Sequence, residues 1–313
     1  VRRSKWKEMK MSKPAIGFIG LGLMGSAMCN RLIDQGYTLN VLANRSRANV
    51  EALRARGANE VASAKALAEA SDIIMLCMDT SASVEGRIHG ADGVMAGASK
   101  GATIIDFGTS LPSSTRAIGA EVAAIGVGYL DAPLGRTPAH ALDGKLNIMC
   151  AGDETVFRGV EPVLRDLGEN VFHLGALGSG HTIKLINNFF GMTLANAMCE
   201  AFAMADQTGV DRQALYDVMS AGPLRSGMMD FVKGYAIDGT PDRLAFSIRN
   251  ARKDVGYYAR MAEDAGAESL MSVPARHALG LAVAQGHGDL MVSQMVDVFA
   301  AMMGGQGAKT PSD

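Results

Sequence analysis

The chain has 313 residues, 30 of them basic and 32 acidic, with 48% hydrophobic content, which places it among globular proteins with ample core-forming material. Disorder and collagen-like order are excluded. A formal net charge of −2 supplies no global positive field, so neither nucleic acid nor an anionic membrane is expected as a partner, and an acidic ligand has to be held locally. At roughly 100–200 residues per domain, the length points to two domains.

Residues 1–12 carry Arg2, Arg3, Lys5, Lys7 and Lys10 against Glu8, without the apolar stretch and cleavage site of a signal peptide. They read as a solvated tail. From Ala15 onward, short apolar runs alternate with alanine-rich helical segments: AIGFIG at 15–20, TLNVLAN at 38–44, SDIIMLCM at 71–78, ATIIDF at 102–107 and GYLDAPL at 128–134. Continuous apolar strands joined by crossover helices imply a parallel sheet covered on both faces, and LNIMCAG and NVFHLG are expected to extend it. Past Gly180 only helices are expected, over Thr182–Thr208, Arg212–Ala221, Leu244–Gly266 and Pro274–Gln285. The first of these runs for about 27 residues, roughly 40 Å, long enough to join two domains. The fold class that follows is α/β. It comprises a Rossmann-type doubly wound parallel sheet over 13–177, then an all-helical C-terminal domain over 178–313 with a long interdomain helix.

Leu185–Cys199 is too short and, with Asn187, Asn188 and Asn196, too polar to span a bilayer. Cys29, Cys77, Cys150 and Cys199 lie tens of residues apart, without the spacing of a zinc site or the density of a disulfide scaffold, so a reducing cytoplasm and no metal are expected.

Gly20, Gly22 and Gly25 form a GxGxxG motif directly after the first strand and at the start of a helix, with Leu23 and Met24 between the last two glycines. In that context the first glycine permits a tight turn and the second lets backbone amides approach a pyrophosphate. The third lets the helix sit close to the strand. At the end of the second strand, where an NAD enzyme presents a carboxylate to the ribose 2′-hydroxyl, stand Asn44, Arg45 and Ser46. A guanidinium with neighbouring hydrogen-bond donors suits a 2′-phosphate, which favours NADP over NAD; the plain alternative is a surface arginine.

In Gly178-Ser-Gly-His-Thr-Ile-Lys184-Leu-Ile-Asn187-Asn188, a lysine and an asparagine stand one helical turn apart on one face. On an otherwise apolar helix, burial disfavours the charged lysine and brings it toward the range useful for proton transfer. A lysine that snorkels to solvent, with asparagines bonding between helices, satisfies the same spacing.

These segments together resemble the β-hydroxyacid dehydrogenase family, which includes 3-hydroxyisobutyrate dehydrogenases and tartronate semialdehyde reductases and is related to 6-phosphogluconate dehydrogenases. The marks are GFIGLGLMG at 17–25, DFGTSLP at 106–112, DAPLGRTPAHALDGKL at 131–146, GSGHTIKLINN at 178–188, and Phe246 followed by Lys253-Asp254. The resemblance implies Lys184 as general acid/base, with Asn188 orienting substrate and Asn187 beside it. It implies Thr109 near the nicotinamide, Met78 lining the same crevice through its backbone, and Lys253 approaching the cofactor. Phe246 and Asp254 would shape the closed site, although Lys253-Asp254 also reads as a solvated charge pair.

Where the family's substrate loop usually reads DAPVSGG, this chain has Gly135-Arg136-Thr137, a change similar to the sulfolactaldehyde reductase branch. Arg136 is accordingly expected either to grip an oxyanion of the substrate or to lean outward and brace its loop. Gly108 replaces a frequent serine, and Asp79 replaces a usual proline. The resemblance implies a homodimer or homotetramer that interconverts a small acidic semialdehyde and its hydroxy acid with NADP. An imine reductase and a non-catalytic NADP-binding sensor or scaffold are the competing readings, and Lys184 weighs against both.

Overall fold

The computed structural model describes residues 13–43 and 47–304. The chain divides into two compact units, the first ending at His181 and the second starting at Thr182.

In the first unit, strands and helices alternate: β1 (Ile16–Ile19), α1 (Leu23–Asp34), β2 (Leu39–Leu42), α2 (Arg47–Ala55), β3 (Asn59–Val61), α3 (Ala64–Glu69), β4 (Ile73–Leu76), α4 (Ser81–Ile88), β5 (Thr103–Asp106), α5 (Pro112–Ala124) and β6 (Gly128–Asp131). The six strands are parallel, in the order β3-β2-β1-β4-β5-β6. Successive side chains point to opposite faces of a sheet. Accordingly Ile73, Met75 and Ile105 enter one core, while Ile74, Leu76 and Ile104 enter the other. Burial on both sides is what makes these strands read as unbroken apolar runs. The strand order reverses between β1 and β4, and open α/β sheets bind ligands at the carboxyl ends of strands flanking such a point.

LNIMCAG and NVFHLG do not extend this sheet. After β6 come β7 (Leu134–Gly135), α6 (Pro138–Leu142), β8 (Leu146–Cys150), α7 (Glu154–Leu167) and β9 (Gly168–His173), and the three strands form a separate sheet in the order β7-β8-β9. GYLDAPL is split between the two sheets at Ala132-Pro133, since proline has no N–H to give a ladder and ends the run of β6.

The second unit is helical. The long helix α8 (Ser179–Thr208) begins three residues earlier than the sequence pattern implies, and α9 (Arg212–Ser220), α10 (Gly227–Ala236), α11 (Ile248–Asp264), α12 (Ser272–Ala284) and α13 (Met295–Met302) follow. Helix α11 starts four residues after Leu244, because Pro241–Leu244 forms a 3-10 turn and the Ser247 hydroxyl caps the N–H of Asn250. Helices α10 and α13 lie outside the helical ranges that the sequence pattern implies. Met192, Met198, Phe202, Met229, Val255, Leu279 and Met295 are among the residues of one core here, so these methionines are packing residues. Among the described residues no helix is long and apolar enough to cross a membrane.

Candidate active site

In the first unit, the loops after β1, β4 and β5 touch one another. Gly20 has φ +102°, and a Cβ there would lie 2.2 Å from the Cys77 carbonyl oxygen and 3.2 Å from Met78 Sδ. A Cβ on Gly108 would lie 2.9 Å from the Met78 carbonyl oxygen, and the Gly108 N–H donates to Asp106 Oδ1 at 2.8 Å. Gly108 is therefore a packing requirement of this crevice. Met78 and the adjoining Thr109 are both part-buried there.

The three motif glycines differ in what requires them. A Cβ on Gly25 would stand 1.9 Å from the Gly20 carbonyl oxygen, so helix α1 could not approach its strand with any larger residue. A Cβ on Gly22 would meet nothing within 4 Å, and its backbone is ordinary extended chain. No described residue around it requires a glycine. What it leaves is open space over the N-terminus of α1, where among the described residues no side chain caps the first N–H groups and no acidic residue occupies the first turn. Uncapped N–H groups and the positive end of the helix dipole suit the pyrophosphate of a dinucleotide. Leu23, at 81% exposure, opens the helix; Met24 packs against the core below. Asn44, Arg45 and Ser46 lie outside the described residues. Their neighbour Arg47 is committed to Glu51 and Glu60.

In the second unit, α8 and α11 bring four chemistry-bearing side chains together. Asn188, one turn after Lys184, is buried and donates from Nδ2 to Asp254 Oδ2 at 2.6 Å. Asp254 is 2% exposed, and Lys253 Nζ stands 3.0 Å from its Oδ1. The same ammonium lies 5.4 Å from the centre of the Tyr257 ring. Asn187 is exposed and donates to Asn188 Oδ1 at 3.2 Å. Lys184 is part-buried: burial pushes its pKa below the usual lysine range, the Asp254 carboxylate opposes that shift, and the Lys253 charge adds to it. That downward direction is the one that general acid/base chemistry by a lysine requires. Phe246 is part-buried against the second unit's core just before α11, its carbonyl accepting from the Val292 N–H at 2.9 Å.

The loop of Gly135, Arg136 and Thr137 belongs to the three-stranded sheet. Arg136 has φ +76°, its guanidinium donates to the Lys145 carbonyl at 2.7 Å, and it pairs with Glu169. That matches the bracing alternative, with the guanidinium held by acceptors of the chain itself. Gly135 pairs with Asn147, and Thr137 Oγ1 lies 2.8 Å from His140 Nδ1. Asp131 and His181, which no local motif spacing singles out, also belong to the surroundings of α8. Both are fully buried, and the Asp131 carboxylate accepts from the Gly178 N–H at 2.8 Å and the His181 N–H at 2.7 Å. Its partners lie 47 and 50 residues away, beyond any local spacing rule.

A doubly wound sheet with an open α1 N-terminus, followed by a helical unit carrying a part-buried lysine, defines a nicotinamide-dinucleotide oxidoreductase. Residues 15–175 match the family described as the NAD binding domain of 6-phosphogluconate dehydrogenase, and residues 178–299 match NAD-binding of NADP-dependent 3-hydroxyisobutyrate dehydrogenase. The chain belongs to the β-hydroxyacid dehydrogenase family, NAD(P)-dependent dehydrogenases and reductases acting on CH–OH groups. It is 36% identical to 2-hydroxy-3-oxopropionate reductase of Escherichia coli over 64% of this chain and 69% of that one. Against 3-sulfolactaldehyde reductase of Escherichia coli, identity is 30% over 88% of this chain and 92% of the other. Among solved structures, 3-hydroxyisobutyrate dehydrogenase of Mycobacterium tuberculosis with L-serine superposes with a TM-score of 0.82 at 25% identity. That match covers 91% of this chain and 98% of the other.

Proposed function

We propose that the chain is an NADP-dependent oxidoreductase that interconverts a small acid-bearing semialdehyde and its hydroxy acid. The observation that carries this reading is the cluster of Lys184, Asn188, Lys253 and Asp254, in which a part-buried lysine sits beside a braced asparagine. In the reducing direction Lys184 gives a proton to the substrate's carbonyl oxygen; in the oxidising direction it takes that proton back. Asn188, held by Asp254, orients the substrate. The open N-terminus of α1 holds the pyrophosphate, and Arg45 with Asn44 and Ser46 holds the 2′-phosphate. When bound, the nicotinamide supplies the hydride or accepts it. The substrate class draws support from the names of the two Escherichia coli relatives, both reductases of small aldehydes that bear an acid group.

The test is cofactor oxidation with carboxylated, phosphorylated and sulfonated semialdehydes, run with NADPH and with NADH. Lys184→Ala lowers turnover by about two to four orders of magnitude with little change in cofactor affinity. Near-normal turnover of that variant at saturating substrate overturns the acid/base assignment. Equal use of NADPH and NADH by the wild type overturns the role of Arg45.

A further inference from the structure

Helix α8 takes a cap from a residue far away in the sequence. Gly178 and Gly180 flank Ser179 at its beginning, and glycine has no side-chain oxygen to offer the N–H groups that a helix leaves unpaired in its first turn. The Asp131 carboxylate, at the end of β6, fills this place from a distance. Oδ1 accepts from Gly178, the residue before the helix, and Oδ2 accepts from His181, its third residue. These are the two donors that a capping box satisfies with two local side chains. Here one remote carboxylate satisfies both.

The surroundings leave that carboxylate little freedom. Antiparallel bonds to Ala151 fix the Asp131 backbone on both sides. A Cβ on Gly180 would lie 2.2 Å from the Met149 carbonyl oxygen and 2.8 Å from Asp131 Oδ2, so only glycine lets the helix come this close. His181 Nδ1 meets Thr115 Oγ1 at 2.8 Å, while Nε2 makes no hydrogen bond and lies 3.7 Å from Asp106 Oδ2. Burial pushes the Asp131 carboxyl up; His181 and the two N–H donors oppose that rise.

We propose that Asp131 is a positioning residue for the reaction, acting on Lys184 through the first two turns of α8. The inference rests on the reading that Lys184 is the acid/base. The N–H of Lys184 reaches back to Gly180, inside the capped turn, in the i to i−4 pattern of the helix. Losing a cap of this kind shifts the opening of a turn by about five- to thirtyfold. An opened turn admits water to a lysine whose low proton affinity comes first from burial. Among the groups that act on Lys184 from α11, Asp254 and Lys253 are untouched by this change. Loss of the Asp131 charge acts in the opposite sense to hydration, but the carboxylate that acts on Lys184 is Asp254, so hydration sets the direction.

The decisive variant is Asp131→Asn, which keeps the shape but turns an amide donor toward one of the two N–H groups. It lowers kcat about tenfold while KM and cofactor affinity stay within about twofold, the pattern of a contribution realised in the transition state. Amides in the first two turns of α8 exchange about tenfold faster, and the pH midpoint of alcohol oxidation moves to higher pH. Thr115→Val removes the side-chain partner of His181, leaves the cap intact and matches the wild type in all these readouts.

Asp131→Asn with wild-type kcat and midpoint overturns the proposal. So does an Asp131→Asn chain that fails to fold by thermal unfolding and cofactor binding, because the carboxylate is then purely structural. Thr115→Val behaving like Asp131→Asn assigns the effect to the buried network at large and overturns it too. Near-normal turnover of Lys184→Ala is a separate failure, of the acid/base reading itself.

Discussion

Replacing Asp254 by asparagine removes the one carboxylate from a cluster in which it accepts from Asn188 Nδ2 at 2.6 Å and faces Lys253 Nζ at 3.0 Å. Two unit charges at that separation attract by about 5–6 kcal/mol at an effective dielectric of about 20, before desolvation is subtracted. Breaking a fully buried pair costs about 3–5 kcal/mol; Lys253 is 20% exposed and can turn to water, which brings the loss to about 2–3 kcal/mol. Thermal unfolding then shows Tm lower by about 5–10 °C. The catalytic consequence has a definite sign. Asp254 holds the proton affinity of Lys184 up against burial, so its removal lowers that affinity further. In the alcohol-oxidising direction Lys184 must be neutral to accept a proton, and the rate rises with pH through its titration. Asp254→Asn therefore moves that limb of the kcat profile to lower pH. Lys253→Met removes a like charge and moves it to higher pH. A limb that stays in place in Asp254→Asn, or moves the same way in both variants, refutes the electrostatic account of the cluster.

Lys184→Met is more stable than the wild type at pH 7 by about 1 kcal/mol, at the expense of activity. The lysine is lowered from 10.5 in the folded state, so between its folded and unfolded values the unfolded chain binds more protons and stability rises with pH; denaturant titration shows the variant's advantage shrinking as pH approaches 10.5. Arg136→Ala keeps the left-handed backbone and loses the bonds to Lys145 and Glu169, so it is about 1–2 kcal/mol less stable than the wild type, whereas Arg136→Gly also relieves that backbone and is about 1 kcal/mol more stable than the alanine variant. Selective loss of acidic substrates in Arg136→Ala at unchanged stability refutes the bracing role and favours the substrate grip.

How far the fold could be read from the sequence follows from burial. Strands β1, β2, β4 and β5 are buried at every position, so each announces itself as an apolar run. Strand β3, Asn-Glu-Val at the sheet edge, buries no residue fully and carries no such signal. Strand β8 alternates buried and part-buried residues, the mark of a sheet covered on one face; that alternation in LNIMC was the available sign that it belongs elsewhere. The short helix α13, MVDVFAAM, is apolar over nearly its whole circumference, which leaves no period to read. At the site, Lys184 and Asn188 are one turn apart and visible to spacing. Asn188 and Asp254 are 66 residues apart, so only resemblance could pair them.

Helices α1 and α8 each follow a glycine, Gly22 and Gly178, and the chain resolves the two starts in opposite ways. Each helix start presents unpaired N–H groups and the positive end of a dipole, and each therefore favours an anion. At α8 the anion is built in: Asp131 takes the Gly178 and His181 donors, and a Cβ on Gly180 would collide with it. At α1 the first turn holds no acidic residue and no side-chain cap, and a Cβ on Gly22 would meet only open space. Glycine spacing alone is therefore ambiguous between a ligand site and an internal anchor. What separates them is whether a carboxylate of the chain already occupies the N–H groups. By that criterion the N–H groups after GLGLMG at 20–25 suit an external phosphate, whereas GSG at 178–180 is anchored by Asp131, although both sequences supply the same backbone chemistry.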